Sequence, residues 1–273
     1  MPVPAELLDS ANKQIDPDDA LFLLGFLLEL PRHELLASGD EVPAAQVDRF
    51  GRWVDRVALG EPPQYITGRA PFLDFELRVD PRVLIPRPET EELVGRVLSR
   101  IADPRLVLDF GTGSGCIAVA FLRRFPKCRV IGVDVSGDAL DVARDNAAVL
   151  GVKDRFEAIE ASDLSGPRFR ELEGRLDLLV SNPPYIPTER IPNLAPRVRD
   201  HEPVAGLDGG PQGTNILAML LEQGPRLLKA TGLLACEIDE TQPEALCRLA
   251  PGATIENDLA ARSRFLFLEK EAS

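Results

Sequence analysis

The sequence holds 273 residues, 44% hydrophobic and 27% charged, and its 31 basic and 44 acidic side chains give a net charge of −13. That length suits one large domain plus a smaller one, and the acidic balance disfavours sequence-independent contact with a phosphate backbone, which needs clustered Lys and Arg. The four cysteines (Cys116, Cys128, Cys236 and Cys247) form no C-x-x-C pair, so a reduced setting without a disulfide framework is expected.

Residues 1 to about 70 read as helical. Apolar positions recur at helical spacing from Ala20 to Leu36 and from Val47 to Leu59, with polar breaks at Ser38–Asp40 and Gly60–Pro63. Leu21–Leu30 is nearly all apolar but too short for a membrane span, which needs roughly 20 residues. It reads as a buried helix, and no membrane association is expected. The N-terminus lacks the basic region and cleavage site of a secretory signal, so a cytoplasmic location is expected.

The period then changes. Phe72–Val79 alternates in strand fashion, Asp80-Pro81 marks a turn, and Val83–Ile85 is expected to return as the second strand of a hairpin. Pro86-Arg87-Pro88 is a stiff connector, and Glu89, Glu91 and Glu92 suit the positive end of a following helix. From Leu106 onward strands alternate with helices. Strands are expected at Leu106–Phe110, Arg129–Val135, Phe156–Ala161, Leu176–Ser181, Gly232–Ile238, Thr254–Asp258 and Arg264–Leu268. Helices are expected at Cys116–Phe125, Gly137–Leu150, Asn215–Leu228 and Pro243–Leu249. Such alternation predicts an α/β fold with a mostly parallel sheet covered on both faces, whose ligands bind outside the carboxyl ends of the strands.

The first of those ends carries Asp109-Phe110-Gly111-Thr112-Gly113-Ser114-Gly115 and then a helix. Glycines let a backbone turn sharply and approach a ligand closely. The dinucleotide fingerprint is G-x-G-x-x-G, whereas the spacing here is G-x-G-x-G. That favours S-adenosylmethionine, which has no pyrophosphate to accommodate. Asp134 ends the second strand, where an acid can accept from both ribose hydroxyls. Asp163 follows the third strand and either accepts from the adenine amino group or caps a turn.

The fourth strand ends in Ser181-Asn182-Pro183-Pro184-Tyr185. Two prolines fix the backbone and remove donors, leaving carbonyls free to accept. The Asn182 oxygen and the Pro183 carbonyl can together take both hydrogens of an NH₂ group, with the Tyr185 ring against a flat amide or base. An amide nitrogen is a poor nucleophile because its lone pair is delocalised. Holding both hydrogens favours rehybridisation as a methyl group arrives in line, and such positioning contributes up to roughly 7–11 kcal/mol. The predicted reaction is methyl transfer to a planar amide or amine nitrogen, with Asn182, Pro183 and Tyr185 as catalytic residues and Asn182 to Tyr185 holding the substrate. His33 and His201, the two histidines, have no metal-ligand or triad companions, and no metal is expected.

These residues resemble the peptide-chain-release-factor glutamine N5-methyltransferases (the HemK/PrmC family). The resemblance rests on Gly60-Glu61-Pro62-Pro63-Gln64-Tyr65-Ile66-Thr67-Gly68, on Leu84-Ile85-Pro86-Arg87-Pro88-Glu89-Thr90-Glu91, on the Gly111–Gly115 loop and on Asn182–Pro187. It implies a Rossmann-like seven-stranded methyltransferase domain (89–273), a β-hairpin linker (71–88) and a small N-terminal helical substrate-docking domain (1–70). It implies S-adenosylmethionine contacts at Gly111, Thr112, Gly113, Ser114, Gly115, Asp134 and Asn182, with Asp163 and Leu164 on the adenine side. Leu164 stands where the family often has an aromatic. His201-Glu202-Pro203 replaces the usual Tyr-Glu-Pro, and Asp239 stands where Gly is usual, before the matching Gln242. The implied substrate is the Gln of the Gly-Gly-Gln loop in class I release factors, and the enzyme is expected to be monomeric, without direct nucleic-acid contact.

Asn-Pro-Pro-Tyr also resembles adenine N6 and other amino-group methyltransferases. A nucleic-acid enzyme would need a basic groove and a flipped base, against the −13 charge. Ribosomal-protein glutamine and a non-catalytic cofactor-binding adaptor are the remaining alternatives. Intact Asn182 and Tyr185 count against the adaptor.

Overall fold

The computed structural model describes residues 1–270. Two compact units form: Met1–Arg69 with Ala195–His201, and Ala70–Leu194 with Glu202 onward.

The first unit is helical, with helices at Pro4–Ala11, Pro17–Leu28, Arg32–Ala37, Ala44–Ala58 and Pro63–Thr67. Pro4, Pro17 and Pro63 occupy first helical positions, where no intrahelical N–H bond is lost. Asp16 starts the second helix, its Oδ1 accepting from the Asp18 N–H at 2.9 Å. Leu23, Leu24 and Leu35 are fully buried and pack with Phe50, Trp53, Val54 and Val57. The Leu21–Leu30 run is therefore a core element, and no helix among the described residues is long and apolar enough to cross a membrane. The short helix Pro196–Arg199, far away in sequence, belongs to this unit, where Arg197 pairs with Asp19.

β1 (Arg69–Phe72), whose last three residues open the second unit, pairs with β2 (Phe75–Arg78) in a two-stranded sheet. The hairpin turn is thus Leu73-Asp74 rather than Asp80-Pro81, and Val83–Ile85 is no strand. Leu73 takes φ +53, and its N–H is held by Glu91 Oε1 at 2.9 Å. Beyond β2 the backbone donors go elsewhere: Arg82 N–H to Asp80 Oδ1, Val83 N–H to the Asp80 carbonyl, and Ile85 N–H to Glu202 Oε2. Those three donors are not available to a ladder.

The main sheet contains β3 (Leu106–Phe110), β4 (Arg129–Asp134), β5 (Phe156–Glu160), β6 (Leu176–Ser181), β7 (Leu228–Glu237), β8 (Thr254–Asn257) and β9 (Ser263–Glu269). Its order is β5-β4-β3-β6-β7-β9-β8, making the seven-stranded Rossmann-like α/β architecture. β3 to β7 are parallel, and β9 runs antiparallel to both β7 and β8. Leu108, Val130, Leu178, Leu179 and Leu234 are fully buried, as expected of parallel strands covered on both faces. The expected helix Asn215–Leu228 stops at Gln223. Gly224-Pro225 ends it, and Leu228 instead begins β7, pairing with Leu176.

Register brings the strand ends together. Phe110 lies beside Val133 and Ser181, and Ser181 lies beside Cys236. The residues that follow or finish these strands (Gly111, Asp134, Asn182 and Glu237) share one edge. The chain leaves β3 toward β4 on one side and returns at β6 on the other, the topological switch point where open α/β sheets bind ligands.

Candidate functional site

A cavity of about 270 Å³ opens at that edge. The loop residues Gly111, Thr112, Gly113 and Ser114 line it, with Asp134, Asn182 and Pro184. Gly115 lies just past that wall, at φ +79, and a Cβ there would sit 3.2 Å from the Ala143 Cβ. Only glycine lets the loop enter the helix Cys116–Arg124 so close to the helix Gly137–Val149.

Two acids hold the loop, Asp109 fully buried and Asp134 half-buried. Asp109 Oδ2 accepts from Thr112 Oγ1 at 2.7 Å and from the Ala118 N–H at 3.2 Å, tying loop to helix. Its other oxygen has no partner among the described residues. Burial pushes this carboxyl up to about 7, against those two hydrogen bonds. Asp134 accepts from Gly113 N–H at 2.9 Å and from Ser136 N–H at 3.0 Å. Burial raises it too, offset by those backbone donors. Its carboxylate therefore shapes the loop and faces the cavity at once.

Asn182 donates through Nδ2 to Thr90 Oγ1 at 2.8 Å, and Thr90 donates to Glu237 Oε2 at 2.9 Å. The Tyr185 hydroxyl donates to the other oxygen of Glu237, also at 2.9 Å. Neither the Asn182 side-chain oxygen nor the Pro183 carbonyl accepts a hydrogen bond from the described residues. Pro183 is buried, and Tyr185 packs its ring on the core beside the Arg264 guanidinium, 5.9 Å from the ring centroid. Burial and the Glu237 charge push the Tyr185 phenol well above its ordinary value.

The structure brings Gly111–Ser114, Asp134, Asn182 and Pro184 into one wall. Asp163 and Leu164 stand apart from it. Asp163 Oδ1 accepts from the Ser165 N–H and hydroxyl at 2.7 and 2.6 Å, a turn cap, and Leu164 is fully buried in the core. Ala161 and Ser162 line the cavity in their place. Sequence reasoning gave no role to Thr90, Glu237 or Glu202. Thr90 lay within the segment carrying the resemblance, and Glu237 had the signal of a carboxylate ending an apolar strand. Glu202 is buried and ion-paired to Arg87, which fastens the loop carrying Pro203 and Gly206 to the wall of the cavity.

Two sequence families match this chain: the PrmC N-terminal domain over residues 5–68 and the methyltransferase small domain over residues 90–195. The release factor glutamine methyltransferase of Moorella thermoacetica is 42% identical over 236 residues, covering 85% of this chain and 81% of the relative. The chain belongs to the release factor glutamine methyltransferase family. Within that family, the human MTRF1L release factor glutamine methyltransferase is 37% identical over 227 residues, covering 77% of this chain and 67% of its own length. Among solved structures, a methyltransferase from Pyrococcus furiosus shares the fold with a TM-score of 0.53 at 17% identity, covering 82% of this chain and 98% of its own. The seven-stranded sheet that carries the cavity is therefore a methyltransferase fold.

Proposed function

We propose that the chain transfers a methyl group from S-adenosylmethionine to the side-chain amide nitrogen of the glutamine in the Gly-Gly-Gln motif of class I peptide chain release factors. The observation that carries this reading is the unengaged Asn182 side-chain oxygen on the wall of a glycine-lined cavity, with the equally unengaged carbonyl of the buried Pro183 next to it in the chain. An NH₂ group offers two hydrogens, and two fixed oxygens match them.

The donor set also fits the cofactor. Asp134 presents a carboxylate to the cavity for the ribose hydroxyls, and Gly111–Gly115 leave room for backbone close to the amino-acid end. The adenine side falls to Ala161 and Ser162, not to the Asp163 side chain. When bound, S-adenosylmethionine supplies an electrophilic methyl group on a sulfonium. The protein's part is positioning and electrostatics. Asn182 and Pro183 orient the nitrogen and stabilise the positive charge that develops there, and the proton leaves after transfer. Pro184 restricts the backbone torsion that aims the Pro183 carbonyl, while Thr90 holds the Asn182 amide.

The N-terminal helical unit, on this reading, docks the release factor. The −13 charge supports a protein substrate over a nucleic acid. We place the enzyme in the cytoplasm as a monomer. The test is transfer of label from methyl-labelled S-adenosylmethionine to purified release factor, to the same factor with that Gln changed to Ala, and to RNA, DNA and ribosomal protein. Label on the unaltered factor alone supports the reading. Label on nucleic acid or ribosomal protein, with none on the release factor, overturns it.

A further inference from the structure

We propose that Glu237 is a positioning residue which, through Thr90, decides which end of the Asn182 amide faces the methyl-accepting pocket. This rests on the reading that Asn182 grips the substrate amide.

The two ends of an asparagine amide are nearly the same size, so shape alone does not choose between them; the hydrogen-bond network does. Here the network has a direction. An ionised carboxylate only accepts, and Glu237 accepts from Thr90 Oγ1 and from the Tyr185 hydroxyl, both at 2.9 Å. The one hydroxyl hydrogen of Thr90 is thereby committed. Thr90 can then only accept from its other neighbour, and the Asn182 group 2.8 Å away must be the NH₂. The amide oxygen is left for the substrate. Were Glu237 protonated, it could donate to Thr90, whose hydroxyl would be free to donate to the Asn182 oxygen. The amide would then turn, presenting donors to a substrate NH₂ that also only donates.

Glu237 has the surroundings for such a switch of direction. It is 1% exposed, and burial pushes its carboxyl up to about 7, opposed by the bonds from Tyr185 and Thr90 and by the Arg264 charge. The charged and titratable groups around it are Arg264 on β9, Glu89 on the helix Pro88–Leu98, Tyr185 after β6, and Cys116 at the start of the helix after the glycine loop. The carboxylate form is the competent one, so turnover rises with pH through the ionisation of Glu237 and levels off above it.

The experiment measures kcat, KM for release factor, and cofactor affinity from about pH 5.5 to 8.5 in wild type, Thr90→Val, Thr90→Ser, Glu237→Gln and Asn182→Ala. Thr90→Val keeps the shape and removes the hydroxyl. It should lower kcat about 10-fold or more, leave cofactor affinity unchanged, and abolish the acidic limb. Thr90→Ser should restore both turnover and limb. Glu237→Gln, which does not ionise, should lose the limb. Wild-type kcat and pH profile in Thr90→Val, beside an inactive Asn182→Ala, would overturn the relay and leave the site reading standing. Full activity in Asn182→Ala would overturn the site reading itself. Should Thr90→Val or Glu237→Gln fail to fold in a thermal melt, the Thr90→Ser and wild-type profiles decide. An acidic limb in both supports the relay, and its absence from wild type contradicts it.

Discussion

Gln242 holds the main chain of Tyr185. Its Nε2 donates to the Tyr185 carbonyl and to the Gly213 carbonyl, each at 2.9 Å, while its Oε1 accepts from the Asp239 N–H at 2.9 Å. One buried amide therefore joins the Asn182–Tyr185 segment, the loop before the helix Asn215–Gln223, and the turn after β7. Gln242→Leu keeps the bulk and removes all three bonds. Orphaned buried polar groups cost about 1–3 kcal/mol each. We expect a loss of about 3 kcal/mol in denaturant unfolding and a fall in kcat larger than any change in cofactor affinity. Unchanged kcat in folded Gln242→Leu would show that the Tyr185 backbone needs no such tether.

Gly213 sits at φ +71, and a Cβ on it would lie 2.1 Å from the Tyr185 carbonyl oxygen and 2.8 Å from Gln242 Nε2. Backbone cannot yield cheaply there. Gly213→Ala should cost more than the 1–3 kcal/mol of a strained φ alone, and should displace the same segment that Gln242 holds. A melting temperature equal to wild type would contradict this.

Asp134 joins β4 to the glycine loop through the Gly113 N–H while facing the cavity. Asp134→Ala removes the carboxylate proposed to accept from the ribose hydroxyls and frees Gly113. Cofactor affinity measured by calorimetry should fall about 10- to 100-fold. An unchanged dissociation constant would mean that the ribose is held elsewhere.

Asp109 makes stability depend on pH. Its folded carboxyl lies at about 7 against an ordinary 3.8, so between those values the folded chain binds more protons there than the unfolded chain. The contribution is full below the lower value and is lost as pH rises through the upper one, by up to about 4 kcal/mol. Asp109→Asn does not titrate. Its melting temperature should fall less steeply than that of wild type between pH 5 and pH 8. Parallel curves for the two proteins would contradict the assignment.

Much of this site was legible in the sequence because it depends on local signals. Buried parallel strands read as continuous apolar runs, and the Gly111–Gly115 loop, Asp134 and Asn182 each sit where a strand ends. The hairpin was misread because Leu73 turns the chain at positive φ, which no composition rule favours, while Asp80-Pro81 looks like a turn and makes only a local one. The sequence does not show that Leu164 turns into the core, leaving Ala161 and Ser162 at the cavity. The Thr90–Glu237 bond joins residues 147 apart. Only the strand order, with β6 beside β7 and the helix Pro88–Leu98 over them, puts that pair under Asn182.

On the proposed reading, Asn182 and the Pro183 carbonyl hold a glutamine NH₂ for methylation. The measurement that tests it most directly is tandem mass spectrometry of a purified class I release factor after incubation with S-adenosylmethionine and either wild-type enzyme or Asn182→Ala. One added methyl group is expected on the side chain of the Gly-Gly-Gln glutamine with wild type, and at least about 100-fold less with Asn182→Ala. A methyl group on any other residue, or equal modification by the two proteins, would contradict it.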